Sequence, residues 1–222
     1  MPAFDARLAE RIREAANIAV LVIEDADKAA PLAEALLAGG VTVMELTLRT
    51  PAALRALERV AGRVPGMLVG AGTVLSPERV RQARDAGAAF AVAPGLNPRV
   101  VRAAAEAKLS FAPGVMTPSE IEQAVELDCV LLKFFPAETA GGLAALKVLA
   151  APYQHLGLRF IPLGGLKPDN TKAYLQSPLI AACGGSWLCT REQIAAGDWA
   201  AVRANAELAT RLAREARAAA PR

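Results

Sequence analysis

Short β-branched or apolar runs alternate with Ala/Leu/Arg/Glu-rich stretches along the whole chain, and no other feature constrains its folding so tightly. The apolar runs cover residues 18–23, 41–48, 67–70, 89–93, 109–112, 130–135, 159–163 and 179–183. Helices are predicted to begin near Asp27, Pro51, Pro77, Pro98, Pro118, Thr139 and Pro168, with a last one after Thr190. Proline recurs at these starts because its missing N–H costs nothing in the first helical turn and its fixed φ suits that turn. In Ser76-Pro77-Glu78 a serine N-cap is added. Gly39, Gly62 and Gly87 stand where helices should end, in place for a left-handed cap.

Strands that alternate with helices imply βαβ units and a parallel sheet. Eight such units in 222 residues favour a closed (β/α)8 TIM barrel forming one domain, residues 1–222, over an open doubly wound sheet. The dinucleotide fingerprint is also incomplete, since Gly70-Ala71-Gly72-Thr73 stops after two glycines. Residues 4–16 read as an extra N-terminal amphipathic helix that closes the bottom of the barrel.

Charge and cysteine usage exclude several classes of function. Lys and Arg number 25 against 22 Asp and Glu, and they are scattered rather than gathered on an aromatic-rich basic stripe, so no nucleic-acid partner is expected. The basic end of the chain (Arg211, Arg214, Arg217, Arg222) reads as the solvated face of a final helix. Cys129, Cys183 and Cys189 have no CxxC spacing and are expected to be reduced thiols in a cytoplasmic protein. No signal peptide is visible at the charged N-terminus, and no apolar run reaches the ~18 residues of a membrane span. His155 is the single histidine and falls on the wrong side of the barrel, which argues against imidazole chemistry and a metal site. Trp187 and Trp199 read as packing residues.

Barrel enzymes react at the C-terminal ends of their strands. Of the six lysines, only Lys133 lies inside an apolar strand, in Val130-Leu131-Leu132-Lys133-Phe134-Phe135. Burying an unpaired ammonium is costly and lowers a lysine's pKa toward the neutral amine, the form that attacks a ketone to give a Schiff base. Glu45 interrupts another strand, and period-two alternation puts Val41, Val43, Glu45 and Thr47 on one face. If that face is the interior, Glu45 is a general acid and base beside Lys133; the competing reading is an ion pair without chemistry. Arg49, at the rim, has the planar fork that suits a carboxylate, and Thr73 offers a hydroxyl. Gly164-Gly165 and Gly184-Gly185-Ser186 end the last two strands, the recurring place for phosphate bound by backbone N–H groups.

The segments Glu45-Leu46-Thr47-Leu48-Arg49-Thr50, Val69-Gly70-Ala71-Gly72-Thr73-Val74-Leu75 and Lys133-Phe134-Phe135-Pro136-Ala137-Glu138 resemble the signature segments of the 2-keto-3-deoxy-6-phosphogluconate aldolase family. That family includes 4-hydroxy-2-oxoglutarate aldolase activity, and the similarity runs from about Ile18 to Trp199. The resemblance implies a trimer of barrels with no metal or organic cofactor, acting on a phosphorylated 2-keto acid. It implies that Lys133 forms the Schiff base, Glu45 transfers protons, and Arg49 and Thr73 hold the pyruvate carboxylate. It further assigns Gly164, Gly165, Gly185 and Ser186 to phosphate, and Pro94 and Phe135 to the pocket wall.

One departure stands out. The family usually has Pro-Thr-Gly-Gly where this chain has Pro162-Leu163-Gly164-Gly165, so a hydroxyl near the C4 centre is missing. A site that lacks the hydrogen-bonding partner should discriminate less between C4 epimers. The galactonate-specific relatives usually lack the Arg49-type motif, which keeps the gluconate substrate ahead. The alternatives are the C4-epimeric galactonate substrate and a different phosphometabolite barrel enzyme that forms no Schiff base.

Overall fold

Nine parallel strands form between the helices of this chain, whose structure is a computed structural model describing residues 3–219. The strands are β1 (Asn17–Leu21), β2 (Val43–Thr47), β3 (Leu68–Gly72), β4 (Phe90–Val92), β5 (Ser110–Ala112), β6 (Gly114–Val115), β7 (Leu131–Phe134), β8 (Arg159–Pro162) and β9 (Cys183–Gly185). The helices are α1 (Ala6–Ala15), α2 (Ala29–Ala38), α3 (Ala53–Arg63), α4 (Pro77–Asp85), α5 (Pro98–Glu106) and α6 (Pro118–Glu126). They continue with α7 (Gly142–Ala150), α8 (Pro168–Leu175), α9 (Arg191–Ala196) and α10 (Trp199–Ala218).

The sheet is parallel and curled, and it comes in two pieces. One has the order β5-β4-β3-β2-β1-β9, and the other β6-β7-β8. The sequence led us to expect a single run of eight strands, and the difference has local causes. Pro113 has no N–H to give a ladder, so the fifth run, expected at 109–112, ends as β5, and the two-residue β6 forms beyond the proline, outside that run. The Pro113 carbonyl still accepts from Lys133 N at 2.8 Å. The eighth run, expected at 179–183, pairs with β8 only through the bridge Phe160–Ile180, and its regular strand is the later β9.

The helix boundaries follow the capping chemistry. Ser76 caps α4 by accepting from Arg79 N, and Thr117 and Glu120 form a full capping box at α6. The helix expected near Thr139 starts later, at Gly142, and the last predicted helix breaks into α9 and α10 at Gly197. Gly87 takes a left-handed conformation as expected, with φ 89°. Gly39 does not. Its neighbour Gly40 takes that role, and a side chain on Gly39 would strike α10 at Ala206. Gly62 lies inside α3 and ends nothing.

Alternation along the strands sorts the core into two layers. Met44, Leu46, Phe111, Leu132, Phe134 and Phe160 face outward, against Leu32, Leu36, Leu57, Val60, Ile121 and Leu146 of the helices. Ile18, Val43, Leu68, Phe90, Val92, Leu131, Ile161 and Leu163 face inward, where Phe4 and Ile12 of the N-terminal segment close the bottom. Val41, which precedes β2, falls in the outer layer instead of sharing the Val43 face. Burying Phe4 and Ile12 is worth about 1.5–3 kcal/mol each, which is why this extra helix is fixed in place. With the bottom filled, the inward-facing polar groups have only the opposite end of the sheet to occupy.

Candidate active site

At that end, where the strands finish, a cavity of about 210 Å³ is lined by Glu45, Thr47, Arg49, Thr73, Pro94, Lys133, Phe135, Leu163, Gly164, Gly165 and Ser186. Nearly every residue singled out in the sequence is therefore gathered into one cleft. Val20, Leu166 and Gly184 complete the lining. Gly185, expected at the phosphate site, does not line it. In β9 the direction of Gly184 is inward, toward Leu163, while Gly185 faces the Trp187 indole. Alternation along the strand could have shown which of the two glycines meets the cavity, and it would also have marked Val20, as it does Thr47 on the Glu45 face.

Lys133 and Glu45 form a buried ion pair in the wall of this cleft. Lys133 Nζ donates to Glu45 Oε1 at 3.2 Å, with only 6% and 2% of the two side chains exposed. Both come from strand interiors and point inward, because Leu131 and Val43, two residues earlier on each strand, sit in the inner layer. Nζ also lies 5.7 Å from the Phe135 ring centroid, so the ring borders the amine on one side. Gly72 makes the arrangement possible. A methyl group built there would fall 2.6 Å from Glu45 Cδ and 2.7 Å from Cγ.

Arg49 is exposed at the rim, and its Nε donates to Thr47 Oγ1 at 3.4 Å. Thr47 in turn donates to the Leu21 carbonyl at 2.9 Å. Thr73 has φ 58°, a left-handed conformation that a β-branched residue adopts only under constraint. Such strain concentrates at functional sites.

The turn after β8 is a second polar feature. Gly164 and Gly165 both have positive φ, at 96° and 83°. The carbonyls of Leu163 and Gly164 accept from Ala137 N at 2.7 Å and Glu138 N at 3.0 Å. Among the described residues no acceptor meets the N–H groups of Gly164, Gly165 or Leu166. Successive free N–H groups on a concave turn form an anion-binding nest. Leu163 is 4% exposed and belongs to the inner core as well as to the cavity wall.

The other reactive groups lie elsewhere. Cys129, Cys183 and Cys189 are buried free thiols, and burial pushes Cys129 and Cys189 up to about 12. His155 is exposed in the turn before β8, at the opposite end from the cavity. Trp187 and Trp199 are partly buried against the outer core. No helix among the described residues is long and apolar enough to cross a membrane, and no group of three or more His, Cys, Asp or Glu converges there.

Comparison with known proteins bears on this geometry. The family model described as KDPG and KHG aldolase matches residues 8–205. The chain belongs to the KDPG and KHG aldolase family. It is 43% identical over 195 residues to the 2-dehydro-3-deoxy-phosphogluconate aldolase of Treponema pallidum, covering 88% of this chain and 90% of that one. Among solved structures, the 2-keto-3-deoxy-6-phosphogluconate aldolase of Zymomonas mobilis with 3-phosphoglycerate superposes with a TM-score of 0.86. That alignment has 41% identity and covers 92% of this chain and 96% of the other. The KDPG aldolase of Legionella pneumophila, with pyruvate captured as a covalent carbinolamine, matches with a TM-score of 0.85. It is 36% identical, over 90% of this chain and 96% of that one. Family membership makes the chain an aldolase, a carbon–carbon lyase.

Proposed function

We propose that this aldolase cleaves 2-keto-3-deoxy-6-phosphogluconate to pyruvate and D-glyceraldehyde 3-phosphate through a Schiff base on Lys133, and also 4-hydroxy-2-oxoglutarate to pyruvate and glyoxylate. The observation that carries this reading is a buried amine 3.2 Å from a buried carboxylate in the wall of a cleft that also offers a rim guanidinium and a nest of free N–H groups. Pyruvate held as a carbinolamine in the Legionella relative supports the covalent route.

The Lys133–Glu45 contact supports the following steps. A proton passed from Nζ to Oε1 leaves the Lys133 amine free to attack the C2 ketone; Glu45 then gives that proton to the departing hydroxyl, so water leaves, an iminium forms and Glu45 is a carboxylate again. Glu45, acting directly or through one water, removes the C4 hydroxyl proton. The C3–C4 bond breaks, its electron pair passes to the iminium to give an enamine, and the aldehyde leaves. Glu45 then returns a proton to C3, and hydrolysis releases pyruvate and the free amine. Arg49 and Thr73 hold the carboxylate of the pyruvate moiety. Gly164, Gly165 and Ser186 receive the phosphate, with Gly184 closer to it than Gly185. Pro94 and Phe135 shape the wall between the two ends.

A second reading concerns the substrate's stereochemistry. Leu163 offers no hydroxyl where the family usually has threonine, so the C4-epimeric galactonate compound is accepted as well. For the fold we propose closure of the two sheet pieces into one (β/α)8 barrel and a single domain. The hydrogen bonds from Phe160 N to Leu179 O at 2.8 Å and from Ala181 N to Phe160 O at 2.9 Å support it. A homotrimeric cytoplasmic enzyme that needs no metal or organic cofactor completes the proposal.

The test is pyruvate release from both epimers in a coupled lactate dehydrogenase assay, with borohydride trapping of pyruvate on the protein. Trapping on Lys133 with turnover of the gluconate compound is expected. Turnover without a trapped adduct would point instead to a barrel enzyme that forms no Schiff base.

A further inference from the structure

Glu138 lies outside the cavity, yet it holds the Gly164–Gly165 turn at two points and is itself held from α8. Its backbone N–H donates to the Gly164 carbonyl at 3.0 Å. Its side chain packs against Gly165 so closely that a methyl built on that glycine would fall 2.6 Å from Glu138 Cβ and 2.8 Å from Cγ. Its Oε1 accepts from Tyr174 Oη at 2.6 Å. Tyr174, on α8, is 2% exposed, and burial together with this hydrogen bond raises its pKa, so the phenol stays a donor. From the other side Asn170 Nδ2 donates to the Gly165 carbonyl at 3.3 Å. Three successive carbonyls, of Leu163, Gly164 and Gly165, are thus drawn backward by donors from the β7–α7 loop and α8. That leaves the N–H groups of Gly164, Gly165 and Leu166 with no acceptor among the described residues.

We propose that the Tyr174–Glu138 pair is a positioning device that presents this turn to a phosphate group and keeps the Glu138 carboxylate turned away from it. The inference rests on reading the turn as the phosphate site. A loose carboxylate beside a phosphate repels it, and the hydroxyl of Tyr174 fixes this one toward α8. Neither residue touches the reacting carbons. Their contribution falls on binding of the phosphorylated end and leaves the Schiff-base chemistry alone.

The test compares Tyr174→Phe, Glu138→Ala and Glu138→Gln in the full chain. KM and kcat are measured for 2-keto-3-deoxy-6-phosphogluconate and for unphosphorylated 4-hydroxy-2-oxoglutarate, and inorganic phosphate binding is followed by calorimetry. Tyr174→Phe and Glu138→Ala should raise KM for the phosphorylated substrate about tenfold, with kcat within about twofold, the scale of one lost hydrogen bond to a charged group. KM for the unphosphorylated substrate should stay unchanged, and phosphate affinity should fall in parallel. Glu138→Gln keeps an acceptor for Tyr174 and should stay close to the parent. Equal changes on both substrates, unchanged phosphate affinity, or a Glu138→Gln variant as impaired as Glu138→Ala would overturn the proposal. Should Tyr174→Phe fail to fold, the exposed Glu138 variants read the same contact. Phosphate binding judges the turn even if the parent cleaves neither substrate, an outcome that would refute the aldolase reading instead.

Discussion

Replacing Gly72 by alanine tests whether the position of Glu45, and not its mere presence, drives catalysis. The added methyl would lie 2.6 Å from Glu45 Cδ and 2.7 Å from Cγ, and nearer still to Oε1. Carbon atoms pack at about 3.5–4.0 Å, so the carboxylate must retreat by about 1 Å. It has little room to do so, because Glu45 is 2% exposed and β3 is paired with β2 along its whole length. A displacement of about 1 Å from reacting geometry can cost about 100-fold in rate, or about 2.7 kcal/mol. Lys133 donates to this same Oε1, but its strand keeps a separate backbone anchor at Pro113, so the amine stays in the cleft when the carboxylate moves. Gly72→Ala should therefore still trap pyruvate with borohydride while kcat for pyruvate release falls about 100-fold. Circular dichroism and Tm establish that the variant is folded. A folded variant with kcat within about threefold of the parent would refute the idea that Glu45 must stand where it does.

Other perturbations reach the remaining features of the site. Lys133→Ala should abolish both turnover and trapping, and it should cost about 3–5 kcal/mol in urea denaturation because Glu45 is left buried and unpaired; residual turnover near the parent rate would sink the nucleophile assignment. Leu163→Thr should widen the rate ratio between the C4 epimers while losing about 2 kcal/mol of stability, since Leu163 belongs to the inner core; an unchanged ratio would clear this position of any stereochemical role. Thr73→Gly should raise Tm by relieving the left-handed β-branched residue, and raise KM through loss of the hydroxyl; a lower Tm would contradict the strain. Burial lifts the Cys129 and Cys189 thiols from the ordinary 9.0 to about 12. Their contribution to stability is complete below the unfolded thiol value and is lost as pH rises toward 12, so urea midpoints should fall between pH 8 and pH 10.5. Midpoints that stay level over that range would contradict the burial of these thiols.

The alternation of apolar runs with proline-started helices was enough to read α/β architecture and a parallel sheet, because both depend on local periodicity and capping. Lys133 and Glu45 were legible for a related reason. A charged residue inside an apolar strand conflicts with its surroundings, and such conflicts mark functional sites. The resemblance supplied the remaining roles. Less legible were the strand ends, where Pro113 ends one ladder and β9 forms later than its apolar run. Those outcomes depend on which neighbour is present to accept hydrogen bonds, and local pattern carries no such information.

Within the site the division is the same. Alternation along β2 put Glu45 on one face, but only the curl of the sheet brought it to 3.2 Å from Lys133, 88 residues away in the chain. The space that Gly72 leaves, the outward turn of Gly185 and the grip of Tyr174 on Glu138 were all decided by packing between distant segments. Sequence determines period and polarity within one element. Distances between elements are set when the chain closes on itself, and catalysis depends on those distances.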